Sequence, residues 1–148
     1  MFVGVRGEMR LSDKAMMALV VLIVWFALNF IGVADLVEAE PPIGLAGVML
    51  SILILVFAGG ILRIDYVAAF YALSLMVWAA LQIETHWSSY LLDAPETKLQ
   101  WYERAFGRFW HILPPSPGHT VPDAYHTILA ALIVLNLALA LSDCLKRA

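Results

Sequence analysis

Four long blocks of apolar residues dominate the pattern of this chain, and each is long enough to form one membrane-spanning helix. A hydrocarbon core about 30 Å thick requires roughly 20 helical residues at ~1.5 Å each. The blocks are continuous, whereas the strands of a membrane barrel alternate apolar and polar positions. The predicted spanning helices cover residues 15–34, 43–62, 66–83 and 124–142. The predicted fold class is an all-α integral membrane protein, with residues 1–148 as a single membrane domain.

The composition supports membrane insertion and excludes several kinds of partner. Hydrophobic residues make up 62% of the 148 residues and charged residues 14%, against about one half and one quarter in soluble domains. The net charge is -3 and no basic cluster is present, which argues against nucleic acid as a partner. A single cysteine, Cys144, excludes an internal disulfide and a cysteine-rich metal site. The expected partners are membrane lipids and other membrane protein subunits.

Basic residues predict the orientation of the four spans. With both termini on one side, that side holds six basic residues: Arg6, Arg10, Lys14, Arg63, Lys146 and Arg147. The opposite side holds three: Lys98, Arg104 and Arg108. Loops rich in lysine and arginine stay in the cytoplasm. The sequence therefore predicts a multi-pass protein of the cell inner membrane, with both termini cytoplasmic and the loop 84–123 outside.

The loop between the third and fourth predicted spans has its own structural signals. Asp93, followed three residues later by Glu96, is typical of a helix-starting capping box. Apolar side chains then recur at three- and four-residue steps as Leu99, Tyr102, Phe106, Phe109 and Leu113. This pattern predicts an amphipathic helix over residues 95–112, lying on the outer membrane surface. Thr120 and Asp123 indicate a second capping box before the fourth span.

Few polar residues lie well inside the predicted spans. They are Asn29, Ser51, Ser74 and Asn136. We interpret them as groups that form hydrogen bonds between helices. Ser51 and Ser74 lie at similar depth in the membrane, whereas Asn29 and Asn136 differ in depth by about 12 Å. No acidic, basic or histidine residue lies deep in a span, which argues against a transporter or channel that works alone.

The outer loop and its borders contain all 4 histidines of the protein. Histidines combined with carboxylates suit a transition metal. The candidate metal ligands are Glu84, His86, His119, Asp123 and His126. They form none of the established zinc motifs. The alternatives to metal binding are a structural role through hydrogen bonds, or contact with a partner protein or a lipid headgroup. A haem between His86 and His126, or a quinone with Glu84 or His86 as proton acceptor, are further alternatives.

Two functions from different classes fit these observations. The leading hypothesis is an accessory or structural subunit of a larger membrane complex, because the spans lack functional charges and carry small residues on several faces. The alternative is a membrane-embedded metal-dependent enzyme or redox protein with its site at the outer interface, and enzymatic activity stays open. A third hypothesis is lipid or isoprenoid handling beneath the outer helix.

Overall fold

A computed structural model describes residues 10–39 and 44–146 as a bundle of four long helices with a shorter helix across one end. Each long helix has 18 to 25 residues and a mean hydropathy of 1.6 to 2.4, enough to cross a membrane. In chain order the helices are α1 (Asp13–Ile31), α2 (Gly44–Ile61), α3 (Val67–Leu91), α4 (Glu96–Phe106) and α5 (Ala124–Leu145). The described residues form no strand beyond an isolated bridge between Val33 and Val37. The all-α class with four spanning-length helices is thus confirmed.

The core of the bundle lies between α1, α3 and α5. Helix α3 packs mainly on α5, which also packs on α1, while α2 lies at the edge against α1 and α3. Buried aromatic rings join these helices: Phe26 contacts Trp78 edge to face at 4.8 Å, and Trp25 stacks on Tyr125 at 5.8 Å. Many side chains on the outside of the bundle are apolar and exposed, including Leu55 and Val134.

Asn136 holds three helices together in the middle of the bundle. The Tyr71 hydroxyl donates to its Oδ1 at 2.8 Å, and its Nδ2 donates to the Ala18 carbonyl at 3.2 Å. The sequence-based expectation of an interhelical hydrogen bond holds for this residue. Ser51 and Ser74, which lie at similar depth, do not act between helices in this way, because each hydroxyl donates to a carbonyl one turn earlier in its own helix.

Helix α3 is longer than the sequence predicted. It continues past residue 83 through a π-helical segment, Ile83–Trp87, and ends at Leu91. In that segment the Ser88 N–H donates to the carbonyl of Ile83, five residues earlier. Residues 84–89 are polar but include no helix breaker, so the backbone stays helical until the approach to Pro95. The extension places His86 inside a helix instead of a loop.

We call the end of the bundle that carries residues 10–13, 62–66 and 143–146 the terminal end. Of the two residues able to cap α1, Ser12 and Asp13, Ser12 is the N-cap, because its hydroxyl accepts from the Ala15 N–H at 3.3 Å. The Ser12 N–H in turn donates to the carboxylate of Asp143 at 2.7 Å, and Arg10 pairs with Asp65 at 3.4 Å. Both described chain ends therefore lie together. Arg6 and Arg147, and the predicted start of the second span at residue 43, lie outside the described residues.

We call the opposite end, which carries α4, the capped end, and here two predicted boundaries were wrong. Helix α4 ends at Phe106, not at residue 112, and its N-cap is Pro95 without a side-chain hydrogen bond. The Asp93 side chain is almost fully exposed. Beyond Phe106 the chain turns towards the bundle, where the Trp110 N–H donates to the Asp35 carbonyl at 2.7 Å.

The start of α5 also differs from the predicted capping box. Asp123 is itself the N-cap, and its Oδ1 accepts from the His126 N–H at 2.9 Å. The Thr120 hydroxyl is buried and has no hydrogen-bond partner among the described residues. The acidic side chain thus caps the helix in the place that the sequence assigned to threonine.

Candidate functional site

Five side chains from three elements meet beneath α4 at the capped end, and we call them the histidine cluster. His86 comes from the π-helical segment of α3, Asp123 and His126 from the start of α5, and Tyr102 and Phe106 from α4. The rings of His86 and His126 are stacked, with centroids 3.8 Å apart and planes inclined by 21°. Phe106 contacts both imidazoles edge to face at 5.2 Å. The cluster therefore connects the cap to two helices of the bundle.

Asp123 orients His126. The carboxylate is fully buried, and its Oδ2 lies 2.7 Å from Nδ1 of His126. Burial raises the pKa of Asp123, but the side-chain hydrogen bond, charge and backbone N–H of His126 outweigh it and hold the pKa below its ordinary value. Because an ionised carboxylate only accepts hydrogen bonds, Nδ1 of His126 carries the hydrogen.

Tyr102 connects the cap helix to His86. Its hydroxyl lies 2.9 Å from Nδ1 of His86, and both residues are buried. Burial, and to a smaller extent the charge of Asp123, raises the pKa of Tyr102, so the phenol stays neutral. A neutral hydroxyl and an imidazole nitrogen form a hydrogen bond that costs little to bury, since each satisfies the other. This contact fixes the position of α4 over α3.

A cleft of about 400 Å³ opens beside the histidine cluster. Asp123 and His126 form one wall, and Asn29 from the end of α1 forms another. The remaining walls are largely aromatic and aliphatic, and they include Trp101, Phe106, Phe109, Leu36 and Val37. An oriented imidazole beside an apolar cleft is able to accept a proton or a hydrogen bond from a small bound molecule.

The structure brings three of the five predicted metal ligands together and separates the other two. His86, Asp123 and His126 meet in the histidine cluster. The Glu84 side chain is exposed. His119 lies on the loop before α5, with Nδ1 3.1 Å from the Leu92 carbonyl and Nε2 3.6 Å from Asp93. Within residues 10–39 and 44–146 no three histidine, cysteine or acidic side chains are arranged to hold a metal ion, so metal binding stays a prediction.

Sequence reasoning missed Tyr102 and Phe106 as members of this site. Both were assigned to the apolar stripe of a surface helix, where their spacing of four residues predicts a shared helix face. This spacing was the one available signal in the sequence. The helix face that carries Tyr102 and Phe106 covers His86 and His126 in the structure. Their contact partners depend on the fold, because His86 and His126 are sixteen or more residues away from them along the chain.

A second feature is an apolar groove of about 730 Å³ between α3 and α5, which we call the α3–α5 groove. Small residues form much of its surface: Ala79, Ala130, Ala131 and Ala138. Near the capped end it is lined by Gln82 and Trp87. Gln82 Oε1 and Trp87 Nε1 are buried atoms without a hydrogen-bond partner in the described part of the chain. The groove thus offers an apolar close-packing surface, with one unused acceptor and one unused donor buried next to it.

No protein-family model matches this chain, and no curated protein or solved structure shows significant similarity to it.

Proposed function

We propose that this protein is a small four-span membrane protein that serves as an accessory subunit of a larger membrane complex and binds its partner along the α3–α5 groove. The observation that carries this proposal is the pair of unpartnered atoms, Gln82 Oε1 and Trp87 Nε1, beside a surface rich in alanine. A transmembrane helix of a second protein, bearing one polar side chain, matches both properties.

Exposed apolar surface supports insertion into a membrane. Val24, Leu55 and Val134 are each more than 60% exposed on three different helices. Monomeric soluble proteins rarely expose apolar patches that continue over whole helices, whereas lipid covers such surfaces without cost. The basic residues of the terminal end favour a cytoplasmic position for both termini and place the capped end outside the inner membrane.

The exposed side chains of α4 indicate where this helix lies relative to the membrane. Its exposed side chains include Trp101, Glu103 and Arg104, while Tyr102 faces the bundle and is buried. Trp110, just beyond the helix, is 69% exposed. Exposed tryptophans are typical of the membrane–water interface. We therefore place α4 at the outer interface, across the mouth of the bundle.

Helix association in a membrane depends on close packing and on interhelical hydrogen bonds. Alanines allow a third backbone to approach the crevice between α3 and α5. An unsatisfied polar atom in hydrocarbon is costly. Both atoms are buried in the unbound protein, so a partner gains affinity from them when the Gln82 and Trp87 side chains turn towards it. The groove thus supplies the shape for one partner helix, and these two side chains supply polar groups once they turn.

The test is co-purification of the full chain from its native membrane in copolymer discs, with matched alanine-to-leucine variants. Ala131→Leu fills the groove, whereas Ala80→Leu adds the same volume to an exposed position of α3 outside it. We expect a second membrane protein to co-purify stoichiometrically with wild type and with Ala80→Leu, but not with Ala131→Leu. All three proteins should unfold at the same temperature. A partner retained equally by Ala131→Leu, or a wild-type monomer without a partner, would contradict the proposal.

A second candidate function, an enzyme or redox protein with its site at the capped end, is favoured by one observation. The oriented pair of Asp123 and His126 faces the 400 Å³ cleft. Elemental analysis and an absorption spectrum of the gently solubilised protein test it. A stoichiometric transition metal or a haem band that disappears in His86→Ala/His126→Ala, without unfolding, would support this function. If the wild-type protein is colourless and free of metal, a metal-dependent or haem-dependent function at this site is excluded.

A further inference from the structure

A further cleft borders α4 at the capped end, and neither proposed function uses it. It encloses about 740 Å³ between α4 and the loop that leads to α5, within the usual range for small-molecule sites of roughly 300–1,000 Å³. Glu103 and Arg104 line it from the helix, and His111 and Thr120 line it from the loop. We call it the cap cleft.

Thr120 provides a buried hydrogen-bonding group without a protein partner. The residue is 3% exposed, and its hydroxyl has no hydrogen-bond partner among the described residues. Its backbone N–H already donates to the Ser89 carbonyl at 3.0 Å, which fixes the loop to the end of α3. A buried hydroxyl left unpaired is unfavourable, so a ligand in the cap cleft gains this contact when the Thr120 side chain or its loop shifts enough to expose the hydroxyl to it.

Two opposite charges line the same cleft without neutralising each other. Arg104 and Glu103 are adjacent in α4, and neither forms an ion pair within the described part of the chain. The Glu103 carboxylate lies against Gly107 instead, one turn further along the helix. Apolar side chains on both walls, including Leu99 and Leu113, complete the cleft. A ligand that matches this arrangement carries both an oxyanion and an ammonium group.

We propose that the cap cleft binds a zwitterionic phosphoethanolamine group, whose phosphate contacts Arg104 and the Thr120 hydroxyl and whose ammonium contacts Glu103. Arginine is the side chain best suited to oxyanions, because its planar fork donates two parallel hydrogen bonds. The primary ammonium donates to the carboxylate. The apolar walls accommodate hydrocarbon attached to the phosphate. The group has two sources, a phosphatidylethanolamine headgroup or a free phosphoethanolamine.

The experiment titrates O-phosphoethanolamine into the full chain held in phosphatidylcholine nanodiscs, and measures binding by calorimetry. The trimethylated nitrogen of phosphatidylcholine has no N–H to donate, so the disc lipid competes for Arg104 and the Thr120 hydroxyl but not for Glu103. The ratio of disc lipid to protein is therefore kept constant in all titrations. We expect saturable binding with a dissociation constant below about 1 mM. Ethyl phosphate, which lacks the ammonium, should bind about tenfold more weakly, as expected for loss of one charged hydrogen bond.

Variants assign each contact. Arg104→Gln and Thr120→Val should weaken binding of both probes, by about tenfold and threefold. Glu103→Gln should weaken only O-phosphoethanolamine, so that the two probes become equal. Glu96→Gln, on the same helix outside the cleft, and Thr127→Val, whose hydroxyl lies elsewhere, are the matched controls and should bind as wild type does. Glu103 and Arg104 are exposed, so their variants should fold normally.

A second disc distinguishes the two sources of the ligand. If the natural ligand is the lipid, nanodiscs that contain phosphatidylethanolamine should suppress binding of the free probe to wild type. If it is a soluble compound, the two kinds of disc should give equal affinities. Three results would each overturn the proposal. They are the absence of saturable binding in phosphatidylcholine discs, equal affinities of the two probes for wild type, and an unchanged affinity in Arg104→Gln. All of these outcomes are independent of the α3–α5 groove.

Discussion

The imidazole rings of His86 and His126 lie face to face, 3.8 Å apart, at the point where α3 and α5 meet beneath the cap. Each ring uses Nδ1 for a different element: His86 bonds to Tyr102 of α4, and His126 bonds to Asp123 at the start of its own helix. Each hydrogen bond connects one ring to its own partner, and the stacking of the two rings connects these pairs. The cap, α3 and α5 are therefore joined at this point.

Replacement of Tyr102 by phenylalanine tests the contact between the cap and α3. The variant keeps the ring packing with Phe106 but leaves Nδ1 of His86 without its partner, which should lower the free energy of unfolding by about 1–2 kcal/mol. Chemical unfolding in detergent micelles measures the change. Tyr90→Phe is the control, because no hydrogen bond of the Tyr90 hydroxyl is formed within the described residues. Equal stability of the two variants would refute the structural importance of this contact.

Replacement of Tyr71 by phenylalanine tests the polar connection in the middle of the bundle. In the variant, Asn136 Oδ1 loses the hydroxyl that donates to it at 2.8 Å. A hydrogen bond between membrane helices contributes about 0.6–1.7 kcal/mol to the free energy of unfolding. Thermal unfolding in the same micelles should show a loss in that range. Ser74→Ala removes only a hydrogen bond within α3 and should have a smaller effect. A larger loss in Ser74→Ala would contradict the assignment.

The capped end should lose stability in acid because of Asp123. Its pKa is lower in the folded protein than its ordinary value of 3.8, so the folded state favours the ionised carboxylate. This stabilisation is present above about pH 4 and is lost as the pH falls through the lowered folded value. Unfolding measured between pH 2 and pH 7 should show the decline. In Asp123→Asn the decline should be shallower, since asparagine still caps α5 but does not titrate. An unchanged slope in Asp123→Asn would exclude Asp123 as its cause.

The difference between α3 as predicted and as observed shows where pattern reasoning reaches its limit. Residues 84–89 are polar, so apolar periodicity indicated that the helix stops at 83. The helix continues because backbone hydrogen bonding depends on the absence of a breaker, not on polarity, and because His86 and Ser89 find a buried environment under α4. Only the packed structure supplies that environment.

Asp123 illustrates the same limit for the site. Its local role near a helix start was readable from the chain, although Thr120 was assigned the capping position. The charge of Asp123, its burial and its contact with the ring of His126 follow from the fold. Glu84 and His119 have the same side-chain chemistry as the members of the histidine cluster, yet they lie elsewhere. Residue type alone could not separate these two groups.

The sequence by itself determined the all-α class and four helices of spanning length, because long apolar runs permit no other way to satisfy the backbone in lipid. It also indicated a cap at Ser12 or Asp13 and a hydrogen-bonding role for Asn136, because these features depend on local chemistry and on depth. Tertiary structure decided which histidines meet, where α4 ends, and which polar atoms stay unpartnered. These features arise from contacts between residues far apart in the chain, whose geometry no local pattern specifies.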